Sequence, residues 1–235
     1  MIKKNILTYL LILSLLINVA LFGYLIYERG GIQYIMLKLG ANESITEWTS
    51  SMKNKFALMD EYKPIKPTDI VFVGDSITAG VEWDEFINED CVNRGIGGDN
   101  SYGLLDRIDK IIKGQPQKIF IMIGINDISG HILLADLKDN YKKLIEKIKN
   151  KSSNTEIYFQ SVLPTDDLDI EGEQIVSANL FIKQYCDECN INYVDLYQYF
   201  VNDKGKIKSE LTTDGTHLTV EGYKLWRDNI KQYIE

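Results

Sequence analysis

The sequence predicts an α/β fold, a doubly wound parallel sheet of five strands with helices on both faces. Short apolar runs alternate along the chain with longer stretches whose apolar residues recur at helical spacing. The apolar runs are continuous rather than alternating, as expected for strands that are buried on both faces. Strands joined through helices form parallel sheets with right-handed crossovers, which predicts a flavodoxin-like three-layer sandwich.

The strands are predicted from apolar runs that end at turn-forming or polar residues. The clearest run is KIFIMI at residues 118–123, and the run IVFV at residues 70–73 ends at a glycine. In chain order, the predicted strands are residues 70–73, 91–93, 118–123, 156–162 and 192–196.

The helices are predicted from apolar residues three and four positions apart. The segment 101–113 is a good example, because its apolar residues fall on one face of a helix. The predicted helices are residues 43–62, which Pro64 and Pro67 follow, and then 101–113, 133–150, 173–188 and 220–234.

The N-terminal segment 6–27 contains 22 residues and no charge, which is long enough for a transmembrane helix. Lys3 and Lys4 precede it and predict a cytoplasmic N-terminus. The alternative is a cleaved signal peptide, which would have a shorter apolar part and a small-residue cleavage site. We therefore expect a cytoplasmic stub at 1–5, a membrane anchor at 6–27, a juxtamembrane spacer and helix at 28–66, and an extracytoplasmic main domain at 67–235.

The composition is that of a folded protein, with 45% hydrophobic and 26% charged residues. The net charge of −8 argues against a nucleic-acid partner, because phosphate backbones would be repelled. Cys91, Cys186 and Cys189 are too few for a disulfide framework. The last two have redox-like spacing but fall within a predicted helix without a nearby histidine, so we expect reduced or locally bridged thiols and no zinc site.

Polar clusters follow the ends of the predicted strands. Ser76 comes after the first strand, a glycine-rich loop at 94–99 after the second, and Asn126 after the third. The long loop after the last strand ends in Asp214 and His217. Because sites in open parallel sheets form at the carboxyl ends of the strands, we expect these clusters to converge at one edge.

Ser76, His217 and Asp214 have the chemistry of a nucleophile, its general base and the group that orients the base. His217 is one of two histidines, and we interpret the other, His131, as a solvated loop residue. Two simpler readings stay open at this point: Ser76 as a helix cap, and the segment 214–217 as a surface turn.

Gly98 and Asn126 could supply hydrogen-bond donors to an oxyanion, the first through its backbone and the second through its side-chain amide. They could equally belong to a tight turn and an Asx turn. The loop at 94–99 lacks the G-x-G-x-x-G pattern of a dinucleotide site. The acidic clusters at 82–85 and 165–167 lack EF-hand spacing, so we expect neither a metal nor a cofactor.

The four clusters together resemble the SGNH hydrolases, also called the GDSL lipase/esterase family. The resemblance spans residues 68–233 and is nearest to a small bacterial branch with acetylhydrolase-like and lysophospholipase-like members. The G-x-S-x-G pattern of the rival α/β-hydrolase fold is absent. Four blocks carry the resemblance: Gly74-Asp75-Ser76-Ile77-Thr78, Asn93-Arg94-Gly95-Ile96-Gly97-Gly98-Asp99, Gly124-Ile125-Asn126-Asp127 and Asp214-Gly215-Thr216-His217.

The resemblance implies a role for one residue or pair in each block. Ser76 would be the nucleophile, with Asp214 and His217 completing the triad. Gly98 and Asn126 would join the Ser76 N–H in the oxyanion hole. The family's usual leucine after the serine is isoleucine in this chain. Gly98 is assigned because it directly precedes the block's aspartate, and the two other glycines of that block remain alternatives.

We therefore expect a membrane-anchored, extracytoplasmic serine esterase that needs no cofactor. Short acyl esters, above all acetyl esters of cell-envelope carbohydrate, are the first expectation for its substrate. This choice rests on the location of the enzyme and on analogy. The alternatives are a lysophospholipase, an O-acyltransferase with the same triad, and a non-catalytic envelope-binding protein. The sequence indicates no obligate protein partner.

Overall fold

The computed structural model describes residues 13–21, 23–24, 49–167, 170 and 172–234. The chain divides into two compact units, Met1–Ile45 and Thr46–Glu235. In the first unit, residues 13–21 and 23–24 are helical and exposed. Among the described residues, no helix has both the length and the apolar character needed to cross a membrane. The rest of the predicted anchor at 6–27, and the spacer up to residue 48, lie outside the described residues.

The second unit contains a five-stranded parallel sheet in the order β2-β1-β3-β4-β5. This confirms the predicted α/β class and the doubly wound topology. The change of direction in strand order lies between β1 and β3, which is where such sheets place their sites. The strands are β1 (Ile70–Gly74), β2 (Cys91–Gly95), β3 (Lys118–Met122), β4 (Glu156–Gln160) and β5 (Asn192–Val194).

The long helices agree with the periodicity of the sequence to within a few residues at most ends. The short ones, of four or five residues, were not predicted because they are too brief to show a period. The helices of this unit are α1 (Ser50–Tyr62), α2 (Ser76–Ala79), α3 (Trp83–Phe86), α4 (Ser101–Lys113), α5 (Ile125–Ser129), α6 (Leu134–Lys151), α7 (Gly172–Cys189), α8 (Tyr197–Phe200) and α9 (Val220–Ile230).

One face of the sheet is a row of stacked aromatic rings. Phe72 of β1 pairs in register with Phe120 of β3, and their rings stack with centroids 4.9 Å apart. Phe120 stacks in turn on Tyr158 of β4 at 4.6 Å. Trp83 of α3 covers the Phe72 end at 4.1 Å and meets Trp226 of α9 edge-on at 4.8 Å. These contacts bury large apolar surfaces and fix α3 and α9 on this face.

The opposite face packs against the fully buried side of α6. Tyr141 of α6 meets Phe159 of β4 edge-on with centroids 4.9 Å apart, and its hydroxyl donates to the Ile123 carbonyl at 2.7 Å. The neighbouring helices α4 and α7 flank α6 on this side. The sheet is therefore buried on both faces, which explains why its strands read as continuous apolar runs.

Strands β4 and β5 end two residues earlier than the sequence predicts, because side chains replace the strand partners. The side chain of Asn179 accepts from the Val162 N–H and donates to the Val162 carbonyl, each at 2.8 Å. Ser161 Oγ accepts the N–H groups of Leu196 and Tyr197 at 2.9 and 2.8 Å. One backbone bond, from the Ser161 N–H to the Val194 carbonyl at 3.0 Å, continues past the end of β4, and side chains satisfy the backbone groups named above.

Helix α1 packs within the second unit, which begins ahead of the predicted domain boundary at residue 67. The predicted helix at 43–62 begins at Ser50 in the structure, because Thr49 Oγ1 caps it by accepting from the Met52 N–H at 3.2 Å. Phe56 is 2% exposed. At the other end, Arg94 of β2 donates to the Met59 and Lys63 carbonyls. The sheet therefore holds α1 at its C-terminal end.

Candidate active site

Ser76 is the first residue of α2 and follows β1 across a tight connection. A Cβ on Gly74 would stand 2.2 Å from the Met122 carbonyl oxygen of β3, so this strand end requires glycine. Asp75 is the helix cap, because its Oδ1 accepts the Ile77 N–H at 2.9 Å. The capping role that the sequence left open for Ser76 therefore belongs to Asp75.

Two hydrogen bonds join the residues predicted as nucleophile, base and orienting carboxylate. Ser76 Oγ lies 2.9 Å from His217 Nε2, and His217 Nδ1 lies 2.7 Å from Asp214 Oδ2. Asp214 Oδ1 also accepts the backbone N–H groups of Thr216 and His217, at 3.0 and 2.8 Å. The hydrogen bonds from His217 and Thr216 lower the pKa of Asp214 to about 2, so its carboxylate is ionised at neutral pH.

The loop that carries Asp214 and His217 is a closed turn, as the simpler interpretation of this segment expects, and the turn does not prevent the contact between the two side chains. The Thr213 N–H donates to the His217 carbonyl at 2.8 Å, and Thr165 Oγ1 donates to the Gly215 carbonyl at 2.8 Å. The side chains of His217 and Asp214 are nevertheless 47% and 54% exposed. The turn therefore fixes the pair while leaving it open to solvent.

Helix α9 connects this loop to the turn that holds Ser76. It begins directly after the loop, with Thr219 Oγ1 as its cap for the Gly222 N–H at 3.1 Å. From its first turn, Tyr223 donates its hydroxyl to the Ile77 carbonyl of α2 at 2.8 Å. One helix thus holds both sides of the Ser76–His217 contact.

The two predicted oxyanion donors lie close together around Asp99. Gly98 has a φ of +76°, which favours glycine, and Asn126 lies in the first turn of α5. The side-chain amide of Asn126 donates to the Asp99 carbonyl at 2.8 Å, and an amide carries a second N–H as well. The structure therefore brings Asn126 to the residue that directly follows Gly98.

The two alternative glycines of the same block occupy different places. The N–H of Gly95 already donates to Asn93 Oδ1 at 2.8 Å, and a Cβ on Gly95 would stand 2.3 Å from the Ala79 nitrogen. Gly95 therefore serves the close packing of β2 against α2. A Cβ on Gly97 would stand 4.0 Å from Ser76 Cβ, so Gly97 belongs to the immediate surroundings of the serine.

A buried cluster of ionisable side chains adjoins these residues, and the sequence pattern alone does not predict its role. Asp75, Asp99, Asp127 and Arg107 are each at most 1% exposed. Burial raises the pKa of Asp75 to about 7 and that of Asp127 to about 6. A signal for Arg107 exists in the sequence, because it shares the apolar face of α4 with residues 104, 108 and 111.

Asp127 fixes α5 to the start of α4. It accepts the Ser101 N–H at 3.0 Å and the Ser101 hydroxyl, to which Asn140 also donates at 2.8 Å. Because Asp127 is the neighbour of Asn126 in α5, this network also limits the positions that the Asn126 side chain can reach. The polar cluster is thus part of the framework of the candidate oxyanion hole.

The remaining candidates from the sequence take no part in the Ser76–His217–Asp214 contacts, although the 165–167 segment bonds to the neighbouring loop through Thr165. His131 has a φ of +56° and is exposed in the loop after α5. In the acidic clusters, Asp84 pairs with Lys63 at 2.8 Å and Asp166 pairs with Lys206. The described part of the chain contains no cluster of side chains suited to hold a metal ion. All three cysteines are free thiols, and two of them, Cys91 and Cys186, are buried.

The chain is similar to known proteins both in sequence and in fold. The model of the GDSL-like lipase/acylhydrolase family matches residues 72–225. The GDSL esterase/lipase CPRD49 of Arabidopsis thaliana is 26% identical, over 73% of this chain and 80% of the relative. The isoamyl acetate-hydrolyzing esterase of Saccharomyces cerevisiae is 21% identical, over 62% and 69%. The solved structure of a GDSL-like lipase from Bacteroides thetaiotaomicron superposes with a TM-score of 0.69 at 28% identity, covering 77% of this chain and 96% of that chain.

The buried Asp75 gives a prediction about stability and pH. The pKa of Asp75 is 3.8 in the unfolded chain and about 7 in the folded protein. At pH values between these two, the carboxyl group is protonated in the folded state and ionised in the unfolded state. The stability contributed by that proton falls as the pH rises through this range. Asp75→Asn keeps an acceptor for the Ile77 N–H but cannot ionise. Relative to wild type, its free energy of unfolding should therefore rise from pH 4 to pH 7 and level off above.

Urea unfolding of both proteins at several pH values measures this difference, and the groups that they share largely cancel. A difference that stays constant across the range would show that Asp75 ionises normally in the folded protein.

Proposed function

Because this chain belongs to the GDSL-like lipase/acylhydrolase family and is a carboxylic ester hydrolase, we propose that Ser76 is its nucleophile. His217 is the general base and Asp214 the residue that orients it. The observation that carries this assignment is the continuous pair of hydrogen bonds from Ser76 Oγ through the imidazole to Asp214, at 2.9 and 2.7 Å.

In the proposed reaction, Ser76 Oγ attacks the ester carbonyl carbon while its proton moves to His217 Nε2. The Nδ1–H of the imidazole remains hydrogen-bonded to the ionised Asp214, which stabilises the positive charge that forms on the ring. The tetrahedral oxyanion accepts from the N–H groups of Ser76 and Gly98 and from the Asn126 amide. The intermediate then collapses, and the alcohol departs with the proton from His217.

Water completes the cycle by attacking the acyl group on Ser76. His217 Nε2 removes a proton from the water, and the acid is released when Ser76 Oγ regains that proton. His217 therefore acts as general base and then as general acid in each half of the cycle, and Ser76 is first the nucleophile and then the leaving group. No step requires a metal ion or a cofactor in this scheme.

We propose short acyl esters as substrates, with acetyl groups on cell-envelope carbohydrate as the first candidate. The half-exposed side chains of His217 and Asp214 support an open site that a bulky alcohol can approach from solvent. A long acyl chain gains about 0.8 kcal/mol for each methylene that it buries, and an open site gives it little surface for this. The yeast relative is named for an acetate ester, which is a short acyl substrate.

We also propose that residues 6–27 anchor the protein in the membrane, with the hydrolase unit on the outer side. The support is the uncharged run of 22 residues after Lys3 and Lys4. The tether would place the active site beside cell-envelope esters. Lysophospholipids would be within reach from the same position, so they are the first competing substrate.

The two histidines provide a matched test of the triad. Ser76→Ala and His217→Ala should each lower kcat for p-nitrophenyl acetate by at least about 10⁴-fold, because the nucleophile and its base act as a unit. His131→Ala, which removes the exposed histidine, should keep nearly the full rate. Equal rates for wild type and Ser76→Ala would refute the assignment, as would equal losses in the two histidine variants.

The acyl preference is tested with p-nitrophenyl esters of increasing chain length, acetylated sugars and a lysophospholipid. We expect kcat/KM to be highest for acetyl esters and to fall as the chain lengthens. A rise of kcat/KM with chain length, or efficient hydrolysis of the lysophospholipid, would favour the lipid alternative. Analysis of the acetylated-sugar products would also detect acyl transfer to a second sugar.

Membrane anchoring is tested by alkaline carbonate extraction of cell membranes. The full chain should stay in the membrane pellet, whereas a chain that lacks residues 1–27 should be released. Release of the full chain by carbonate would contradict the anchor, and shortening at the N-terminus would indicate a cleaved signal peptide instead.

A further inference from the structure

Arg107 is a fully buried cation whose three nitrogens point to three different segments at the edge of the candidate site. Its Nε pairs with Asp99 Oδ2 at 2.8 Å, and both side chains are 0% exposed. Its Nη1 donates to the Arg94 carbonyl at 2.6 Å and its Nη2 to the Gly74 carbonyl at 3.0 Å. One side chain of α4 thus holds the ends of β1 and β2 and the loop that follows β2.

These acceptors are close in sequence to the groups proposed for chemistry. Gly74 precedes the Asp75–Ser76 turn, and Asp99 directly follows Gly98. The backbone carbonyl of Asp99 accepts the Asn126 amide at 2.8 Å. Asp99 therefore contacts Arg107 through its side chain and Asn126 through its backbone.

From this geometry we infer that Arg107 is a positioning residue for the oxyanion hole. It fixes Asp99, and through Asp99 it sets the direction of the Gly98 N–H and of the Asn126 amide. This inference rests on the proposed function, in which Gly98 and Asn126 are the oxyanion donors.

The loop is held at both ends, by the Ile96 N–H to the Gly74 carbonyl at 3.0 Å and by the Asn126 amide to the Asp99 carbonyl at 2.8 Å, and Arg107 adds the contact to its one buried carboxylate. Gly97 and Gly98 are both exposed, and Gly98 adopts a left-handed φ of +76°. Oxyanion donors act through preorganisation, so a small displacement of the loop lowers the rate even when the substrate still binds. Within the loop, the Asp99 N–H donates to the Ile96 carbonyl at 3.0 Å, and the Asp99 carboxylate pairs with Arg107.

The chemistry of the contact favours arginine over lysine. A guanidinium is planar and presents its donors in fixed directions, so it can reach three separated acceptors at once. A lysine ammonium would keep the charge beside Asp99 but would lose the defined directions to the Gly74 and Arg94 carbonyls. Arg107→Lys therefore separates the effect of geometry from the effect of charge.

The experiment compares Arg107→Lys with Ile111→Ala, a control that truncates a buried side chain on the same helix. Under conditions where circular dichroism shows both proteins folded, Arg107→Lys should lower kcat by about 10²-fold with little change in KM, as for the loss of one oxyanion donor. Ile111→Ala should lose stability but keep its kcat. Equal kcat values for Arg107→Lys and wild type would overturn the inference.

A double-variant cycle tests whether Arg107 acts through the oxyanion donors. If it does, Arg107→Lys combined with Asn126→Ala should be about as slow as Asn126→Ala alone, because both remove the same preorganised hole. Two fully multiplicative losses would show that Arg107 acts elsewhere. Should Arg107→Lys fail to fold, Asp99→Asn, which keeps an oxygen acceptor for Nε, takes its place in the same cycle.

A readout without turnover separates this inference from the proposed function. In NMR spectra, the Gly98 backbone amide and the Asn126 side-chain amide should shift in Arg107→Lys and remain in place in Ile111→Ala. Unchanged resonances in both variants would overturn the positioning role. A wild-type protein that hydrolyses no ester would refute the proposed function, while the resonances would still decide whether Arg107 sets these two groups.

Discussion

The hydrogen bond between Ser76 Oγ and His217 Nε2 joins residues 141 positions apart, and much of the architecture makes that contact possible. β1 lies inside the sheet between β2 and β3, so its carboxyl end delivers Ser76 to the point where the strand order reverses. His217 lies on the loop that precedes α9. Tyr223 of α9 donates to the Ile77 carbonyl, which connects the helix after that loop to the helix that begins with Ser76.

Several carboxyl groups are buried at the same edge of the sheet. Their removal from water costs free energy, which protonation or pairing with a cation offsets. Removing carboxylates from water is unfavourable, and burial accordingly raises the pKa of Asp75 and Asp127. Asp99 is instead paired with Arg107. Asp214 is the contrasting case, because it is exposed and its pKa is lowered. The groups that support the site are thus buried, and the proposed proton-transfer groups face solvent.

The sheet, the long helices and the convergence of the four blocks were predictable, because they depend on periodicity and on the rule that parallel strand ends meet. The buried cluster was not, because burial depends on packing between distant segments. The helix cap is a second example. Both serine and aspartate are common caps, and only the structure shows that the Asp75 side chain, not Ser76, caps α2. The early ends of β4 and β5 depend on Asn179 and Ser161, whose bonds a local pattern does not reveal.

In the proposed mechanism, Ser76 is a nucleophile that His217 activates. Labelling of the folded chain with a fluorophosphonate, followed by mass spectrometry of its peptides, tests this most directly. We expect one covalent adduct, on Ser76, whose formation becomes far slower when His217 is replaced by alanine. A folded wild-type chain without an adduct on Ser76, or an adduct that forms equally fast without His217, would contradict it.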